Sequence, residues 1–177
     1  LCKCSIPYDT IGLSAGASAI IEVSSFMLAN PGDVAVIPAP SYPMYTNDLG
    51  VKSGIVRFDL QTHFEIKEIG SEAPVKVELL DKTWDELKVQ GKCFKLLVLS
   101  SPDNPTGCIY TEHELRKLAN WCIQHEVHMI VNEIYGLSLI DTQDDVLKQD
   151  YSMEGAYSSF AKLMNELNSD YLHLWYA

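Results

Sequence analysis

Three side chains in this sequence have the chemistry and the local setting needed to hold a flat aromatic ring. Asn104 lies in the turn Asn-Pro-Thr-Gly, and its amide offers both a hydrogen-bond donor and an acceptor. Tyr135 offers a hydroxyl group, and Tyr42 lies in a loop stiffened by prolines, which suits a stacking ring. One stacking ring and two polar groups would together bind an aromatic ring that bears an oxygen substituent.

A further segment, residues 14–18, is suited to a phosphate group. Its sequence Ser-Ala-Gly-Ala-Ser leads directly into an apolar stretch, and the free N–H groups and the dipole at a helix start favour anions. Ser18 adds a hydroxyl group. Taken alone, the segment is more typical of an ordinary small-residue helix start than of a phosphate site. The chain has neither G-x-G-x-x-G nor G-x-x-x-x-G-K-[ST], so dinucleotide and nucleoside triphosphate sites are not predicted.

The elements that would position these side chains alternate between helix and strand. Residues 17–29 are apolar on almost every side, which predicts a buried helix. Thr83 and Thr111 each begin a Thr-x-x-Glu capping box, which predicts a helix start at each position. An amphipathic pattern over residues 156–167 predicts a last helix. Strands are predicted over residues 34–40, 54–60, 94–100 and 128–135, and a final strand begins at Tyr171.

This alternation predicts an α/β fold, a three-layer αβα arrangement with a mostly parallel sheet covered on both faces. In such sheets, ligands bind beyond the carboxyl ends of the strands. Tyr42, Asn104 and Tyr135 each lie at or after a predicted strand end, and Ser18 opens a predicted helix. We therefore expect these four residues to converge on one edge of the sheet.

The composition argues against several classes of partner. With 13 Lys and Arg against 24 Asp and Glu, the net charge is −11, which disfavours nucleic acid and anionic membranes. No apolar run approaches the roughly 20 residues of a membrane span, and no signal or transit peptide is evident, so we expect a cytoplasmic protein. The five cysteines do not form a disulfide framework. No metal is predicted, because Cys2, Cys4, His125 and His128 lack the spacing of a zinc site.

Four segments in this order carry a specific resemblance: GASAIIE, NPGDVAVIPAPSYP, SPDNPTG and VNEIYG. They resemble the large domain of fold-type I pyridoxal-phosphate enzymes, most of all class I/II aminotransferases and 1-aminocyclopropane-1-carboxylate synthase. The resemblance implies pyridoxal 5′-phosphate as the cofactor, an amino acid as the small-molecule substrate, and a homodimer for the full-length protein. Whether the chemistry is that of a transaminase or of a synthase or lyase stays open.

The resemblance also implies a role for individual residues. Ala17 and Ser18 would bind the cofactor phosphate, and Tyr42 would stack on the pyridine ring. Asn104 and Tyr135 would form hydrogen bonds with the 3-hydroxyl oxygen of the ring. These roles give the Asn-Pro-Thr-Gly turn a function, which is to hold its asparagine rigidly at the sheet edge.

Asn132 departs from the family pattern, because the family usually has aspartate at this position. That carboxylate keeps the pyridine nitrogen protonated and makes the ring an electron sink, whereas an amide supplies no charge. We therefore expect Asn132 to contact the ring but to give slow or absent transamination. Glu133 is adjacent, but neighbours on a strand face opposite ways, so it is a poor substitute.

A second departure concerns the extent of the chain. The family's Schiff-base lysine would lie beyond Ala177, so we expect residues 1–177 to be a partial large domain without a catalytic residue and without the small domain. Such a piece would be inactive alone. The main alternative is a catalytically degenerate relative that acts as a binding or regulatory module. A generic Rossmann-like nucleotide binder is weaker, because the glycine loop is missing.

Overall fold

A computed structural model of the chain describes residues 6–62, 75–138 and 157–175. Within these residues lies one five-stranded sheet with the strand order β2-β1-β3-β4-β5, in which every pairing is parallel. The predicted α/β fold is therefore confirmed. The strands are β1 (Val34–Ala39), β2 (Val56–Gln61), β3 (Phe94–Ser100), β4 (His128–Asn132) and β5 (Leu172–Trp175). The helices are α1 (Ala17–Leu28), α2 (Tyr45–Gly50), α3 (Val77–Val89), α4 (Glu112–Gln124) and α5 (Phe160–Leu167), and a 3-10 turn covers Tyr8–Thr10.

Both faces of the sheet are covered by helices, which gives the three predicted layers. Alternate residues of each strand point to opposite faces, so β1 contributes Val34 and Val36 to one apolar cluster and Ala35 and Ile37 to the other. Helices α3, α4 and α5 cover the first face, and α1 and α2 cover the second. The apolar sequences of β1 and β3 follow from this burial on two sides.

The strand order creates a crevice between β1 and β3. After β1 the chain places β2 on one side of it and then β3 on the other side. The connections that leave the carboxyl ends of β1 and β3 therefore run in opposite directions and leave space between them. The loop that contains Tyr42 follows β1 and the turn that contains Asn104 follows β3, so both lie at this crevice.

One of the two predicted capping boxes is confirmed and the other is wrong. Thr111 begins α4, with reciprocal hydrogen bonds between it and Glu114. Thr83 instead lies inside α3, which begins at Val77, and its hydroxyl donates to the carbonyl of Leu79 over 2.9 Å. The apolar face of α3 extends back to Leu80, so packing on the sheet continues the helix through Thr83.

The prediction that the first helix is buried is wrong. Only Ile21 and Ser25 of α1 are buried, while Phe26 and Met27 are 70% and 76% exposed. The helix belongs to an outer layer and presents one face to α2 and the sheet. Apolar residues around the rest of its circumference are therefore left uncovered within the described part of the chain.

The predicted strand over residues 128–135 is shorter than expected, because β4 ends at Asn132 and a turn follows. Ala156 at the start of the predicted last helix, the loop at 141–152, Cys2 and Cys4 lie outside the described residues. Among the residues that are described, no helix is both long and apolar enough for a membrane span. The same residues contain no group of three or more metal-ligating side chains.

Candidate functional site

Asn104 and Tyr135 lie together at the carboxyl edge of the sheet. The Nδ2 atom of Asn104 donates to the hydroxyl oxygen of Tyr135 over 3.3 Å. They are neighbours because β3 and β4 pair in a register that sets Ser100 beside Asn132. Asn104 comes four residues after the end of β3, and Tyr135 comes three residues after the end of β4. Tyr135 is 38% exposed, so the pair is accessible from solvent.

The turn that presents Asn104 is held by Asp103. The carboxylate of Asp103 accepts from the hydroxyl and the N–H of Thr106, over 2.5 and 3.4 Å. The N–H of Gly107 donates to the carbonyl of Asp103, and Gly107 has a φ of +69°, a conformation that favours glycine. Burial raises the pKa of Asp103, and the Thr106 hydrogen bonds partly oppose that shift. Sequence analysis missed Asp103, although the spacing Asp-x-x-Thr was a usable signal of such a turn.

Asn132 is nearly buried at the end of β4, with 7% of its surface exposed. Its Oδ1 atom accepts from the N–H of Ile134 over 3.1 Å, and its Nδ2 atom donates to the hydroxyl oxygen of Tyr45 over 2.9 Å. A backbone N–H can only donate, so the oxygen of the amide must face Ile134. The orientation of the Asn132 amide is therefore fixed, with Nδ2 toward Tyr45.

Tyr45 joins three parts of the site. Its buried hydroxyl lies 2.9 Å from Ser100 at the end of β3 as well as from Asn132 at the end of β4. Its ring packs edge-on against Tyr42, with the centroids 5.5 Å apart. Burial raises the pKa of the Tyr45 hydroxyl, so it stays protonated. It accepts from Asn132, and either hydroxyl can be the donor in its hydrogen bond with Ser100. Sequence analysis missed Tyr45 and Ser100.

The start of α1 lies close to α2. No side chain caps the first turn of α1, and Gly16, with a φ of +91°, has open space around its Cα. The hydroxyl of Ser18 donates to Oδ2 of Asp48 over 3.3 Å. Asp48 lies one helical turn after Tyr45, so α2 connects the start of α1 to the polar groups at the ends of β3 and β4.

Neither arginine of the chain lies at the start of α1. Arg57 of β2 donates hydrogen bonds to the loop that contains Tyr42 and to Asp59. Arg116 of α4 pairs with Glu112 and Glu166. Of the groups described, the backbone and the Ser18 hydroxyl are therefore what the start of α1 offers to an anion.

Glu133 points away from this edge, as expected for the neighbour of Asn132 on a strand. Its carboxylate accepts from the hydroxyl of Ser159 over 2.8 Å and from the N–H of Phe160 over 2.6 Å. These bonds cap the start of α5, and the side chain is 1% exposed. Glu133 is therefore a structural residue that ties the end of β4 to the last helix.

Comparison with known proteins decides the family. The profile of the family described as Aminotransferase class I and II matches residues 5–168. The chain belongs to this family. The resemblance drawn from the four motifs is thus confirmed, and the aminotransferase class I and II assignment agrees with the parallel sheet and its helices.

Curated relatives of this aminotransferase-family chain are much longer than it is. It is 32% identical over 145 residues to 1-aminocyclopropane-1-carboxylate synthase 2 of Oryza sativa subsp. japonica, which covers 81% of the chain and 29% of the rice protein. It is 26% identical over 178 residues to synthase 2 of Solanum lycopersicum, covering 96% of the chain and 32% of the tomato protein. The chain therefore spans about 30% of the length of these relatives.

Solved structures share the fold at lower identity. An aminotransferase from Mycobacterium tuberculosis superposes with a TM-score of 0.61 and 19% identity, over 90% of this chain and 36% of that one. A pyridoxal-phosphate-bound C-S lyase from Staphylococcus hominis gives a TM-score of 0.53 and 24% identity, over 66% of this chain and 27% of that one.

The described residues fit the pyridoxal 5′-phosphate that the family assignment supports. The uncapped first turn of α1 offers backbone N–H donors for a phosphate, and a Cβ on Gly16 would meet none of the described atoms within 4 Å. The accessible Asn104 and Tyr135 pair offers polar atoms to a ring oxygen. One feature opposes the fit, because the Asp48 carboxylate already accepts the Ser18 hydrogen bond and would repel an anion there.

Proposed function

We propose that this chain is part of the cofactor-binding domain of a pyridoxal-phosphate-dependent enzyme that acts on amino acids. The proposal rests on the convergence of Asn104 and Tyr135, 3.3 Å apart, beyond the carboxyl ends of the neighbouring strands β3 and β4. Family membership supports the same reading. An amino acid as the substrate and a homodimer as the assembly of the full-length protein, both implied by the motif resemblance, complete the proposal.

Each predicted site residue has a defined task in this proposal. The backbone N–H groups of Ala17 and Ser18 bind the phosphate, because they lie in the first turn of α1, where no side chain caps them. Tyr42 stacks on the ring, and Asn104 and Tyr135 bind its oxygen substituent. The cofactor, when bound, supplies an electron sink for a substrate carbanion.

Asn132 determines how strong that sink is. The orientation of its amide leaves the second N–H of Nδ2 as its remaining donor, and an N–H suits a ring nitrogen without a proton. A carboxylate at this position would favour the protonated ring by roughly 4 kcal/mol at 4 Å and an effective dielectric constant of about 20. Reactions that need the strongest sink, such as transamination, are therefore slow in this protein.

The test is a titration of the full-length protein with pyridoxal 5′-phosphate and, in parallel, with NAD. We expect saturable visible absorbance with pyridoxal phosphate alone, and weaker binding in Asn104→Ala and Tyr135→Phe. Borohydride reduction should then fix the cofactor to the protein through a lysine outside residues 1–177. Binding of NAD with no response to pyridoxal phosphate would overturn the proposal.

Asn132 also favours a second candidate function, that of a catalytically degenerate relative that binds the cofactor as a regulatory module. The two functions differ in the response to amino acids after cofactor binding. An enzyme shows amino-acid-dependent changes in absorbance, whereas a binding module shows none. Turnover restored in Asn132→Asp would instead point to a tuned or altered enzyme.

A further inference from the structure

Arg57 forms hydrogen bonds with several residues of the loop that follows β1. Its side chain is only 16% exposed, and its register partner on β1 is Ala35, on the face that α2 covers. From there it reaches several residues of the loop and the first turn of α2. The Nη1 atom donates hydrogen bonds to the carbonyl of Tyr42 over 3.4 Å, the carbonyl of Pro43 over 3.3 Å and Oγ1 of Thr46 over 3.2 Å. The Nη2 atom donates to Oγ of Ser41 over 2.8 Å.

These contacts add to the few hydrogen bonds that the loop forms by itself. Pro40 and Pro43 have no N–H group, so the segment cannot extend the sheet ladder. The carbonyls of Tyr42 and Pro43 each accept one backbone N–H, from Tyr45 over 3.4 Å and from Thr46 over 3.3 Å, and a carbonyl oxygen can accept a second hydrogen bond. The guanidinium supplies the further donors that these two oxygens can accept.

Asp59 holds the guanidinium from its other side. The Nε atom of Arg57 donates to Oδ1 of Asp59 over 2.7 Å, and both residues lie on the same face of β2. The planar guanidinium is therefore oriented by Asp59, with Nη1 and Nη2 directed at the loop. A lysine ammonium could pair with Asp59 but has a single nitrogen, so it cannot reach acceptors from Ser41 to Thr46 at once.

We propose that Arg57 is a positioning residue for Tyr42, one that holds the loop at the Ser41 hydroxyl before the ring and at the Tyr42 and Pro43 carbonyls after it. Tyr42 is then held twice, at its ring by Tyr45 and at its backbone by Arg57. The inference rests on the proposed function, because the ring that Tyr42 stacks on is that of the cofactor. Arg57 has its charge paired with Asp59 and acts through Tyr42 rather than on the phosphate.

The test uses Arg57→Lys in the full-length protein, with Arg116→Lys as a matched control. Arg116 has the same chemistry but pairs with Glu112 and Glu166 on the surface of α4 and α5. The first readout needs no cofactor: 3-fluorotyrosine is placed at position 42 and followed by fluorine NMR. We expect one sharp resonance in the parent and in Arg116→Lys, and a shifted, broadened or split one in Arg57→Lys.

The second readout is the dissociation constant of pyridoxal 5′-phosphate from absorbance titration. We expect the dissociation constant to rise about fivefold or more in Arg57→Lys and to stay unchanged in Arg116→Lys. A second variant, Thr46→Val, removes one acceptor without changing charge and should shift the Tyr42 resonance by a smaller amount.

The outcomes separate this inference from the proposed function. A parent protein that does not bind pyridoxal phosphate contradicts the proposed function, whereas the fluorine resonance still reports whether Arg57 holds Tyr42. A resonance that moves in neither Arg57→Lys nor Thr46→Val overturns the positioning role. An altered resonance with an unchanged dissociation constant also overturns it, because the position of the Tyr42 loop would then not affect the binding of the cofactor ring.

Discussion

Asn132 and Tyr45 form a hydrogen bond of 2.9 Å that joins the end of β4 to α2, although they lie 87 positions apart in the chain. Its direction is determined, since the amide oxygen of Asn132 is taken by the N–H of Ile134. The hydroxyl oxygen of Tyr45 therefore accepts from Asn132 and shares a second hydrogen bond with the hydroxyl of Ser100. With aspartate at position 132, the Tyr45 hydroxyl would donate to the carboxylate and accept from the Ser100 hydroxyl, so the network accommodates either residue.

The first prediction follows from this tolerance. Asn132→Asp should fold normally and should raise the rate of transamination in the full-length protein by tenfold or more, since the added charge is worth up to roughly 4 kcal/mol to a protonated ring. The measurement is the rate of the amino-acid-dependent absorbance change. Asn132→Ala is the control and should lose cofactor affinity. An equal rate in the parent and in Asn132→Asp would place position 132 away from the ring.

The second prediction concerns the Tyr45 hydroxyl. Tyr45→Phe leaves the buried Nδ2 atom of Asn132 and the hydroxyl of Ser100 without this partner, which should lower the free energy of unfolding by about 1–3 kcal/mol. Urea denaturation measures the change. Tyr8→Phe is the matched control, because Tyr8 is 89% exposed and should show no effect. A similar result for both variants would mean that the hydroxyl makes no net contribution.

The third prediction concerns the acid beside Ser18. Asp48→Asn removes a negative charge that accepts from Ser18 over 3.3 Å, where the proposed phosphate would bind. Binding of pyridoxal phosphate should tighten about fivefold, equivalent to roughly 1 kcal/mol. Asp85→Asn makes the same change in net charge on the exposed surface of α3 and is the control. Equal tightening in both variants would attribute the effect to overall charge.

The fourth prediction concerns the tie between β4 and α5. Glu133→Ala leaves the N–H of Phe160 and the hydroxyl of Ser159 without their acceptor, which should lower the free energy of unfolding by about 2–3 kcal/mol. Glu133→Gln keeps one acceptor and should cost less. Glu86→Ala, on the exposed side of α3, should be close to neutral. If Glu133→Ala were equally neutral in urea denaturation, α5 would not depend on this cap.

The fifth prediction is a pH dependence of stability from two neighbouring histidines. Nδ1 of His128 lies 3.1 Å from Nε2 of His173, across β4 and β5. Burial lowers the pKa of His173 from 6.5 to about 4, with a further contribution from His128, while Asp170 opposes the shift. Burial and Lys95 also lower the pKa of His128.

Both shifts act in one direction. Between pH 6.5 and about 4 the unfolded chain binds more protons than the folded one, so the free energy of unfolding falls as the pH drops through that window. His173 alone accounts for a loss on the order of 3 kcal/mol. Denaturation across the window should be flatter in His173→Gln than in His113→Gln, whose histidine is exposed. Parallel profiles in the two variants would contradict the assignment.

The arrangement of the site residues could be predicted only in part. Ser18, Tyr42, Asn104 and Tyr135 were expected at one edge because the helix and strand alternation implies a parallel sheet, whose carboxyl ends lie together. The contacts that hold them were not predicted. Tyr45 bonds Ser100 from 55 positions away, and no local pattern reports a contact at that separation.

The helix predictions differ in a similar way. Thr111 begins a helix because its capping box satisfies free backbone groups that nothing else satisfies. The same spacing at Thr83 lies inside α3, because burial of Leu80 on the sheet stabilises the earlier turn more than a cap would. Tertiary packing, rather than the local capping signal, decided where α3 begins. Packing also decided the burial of α1, which is covered on one face alone among the described residues, although its apolar composition predicted a buried helix.

The amino-acid sequence by itself determined the layer architecture, the edge at which ligands would bind and the amide in place of a carboxylate at position 132. The first two follow from residue type and periodicity, which act over a few neighbouring positions, and the third is a departure from the family that the four motifs resemble. The tertiary structure decided the direction of the Asn132 amide, the hydrogen bonds of Arg57 to the Tyr42 loop and the contact of Asp48 with Ser18. These depend on side chains brought together by strand register and helix packing, and such distances exist only after the chain has folded.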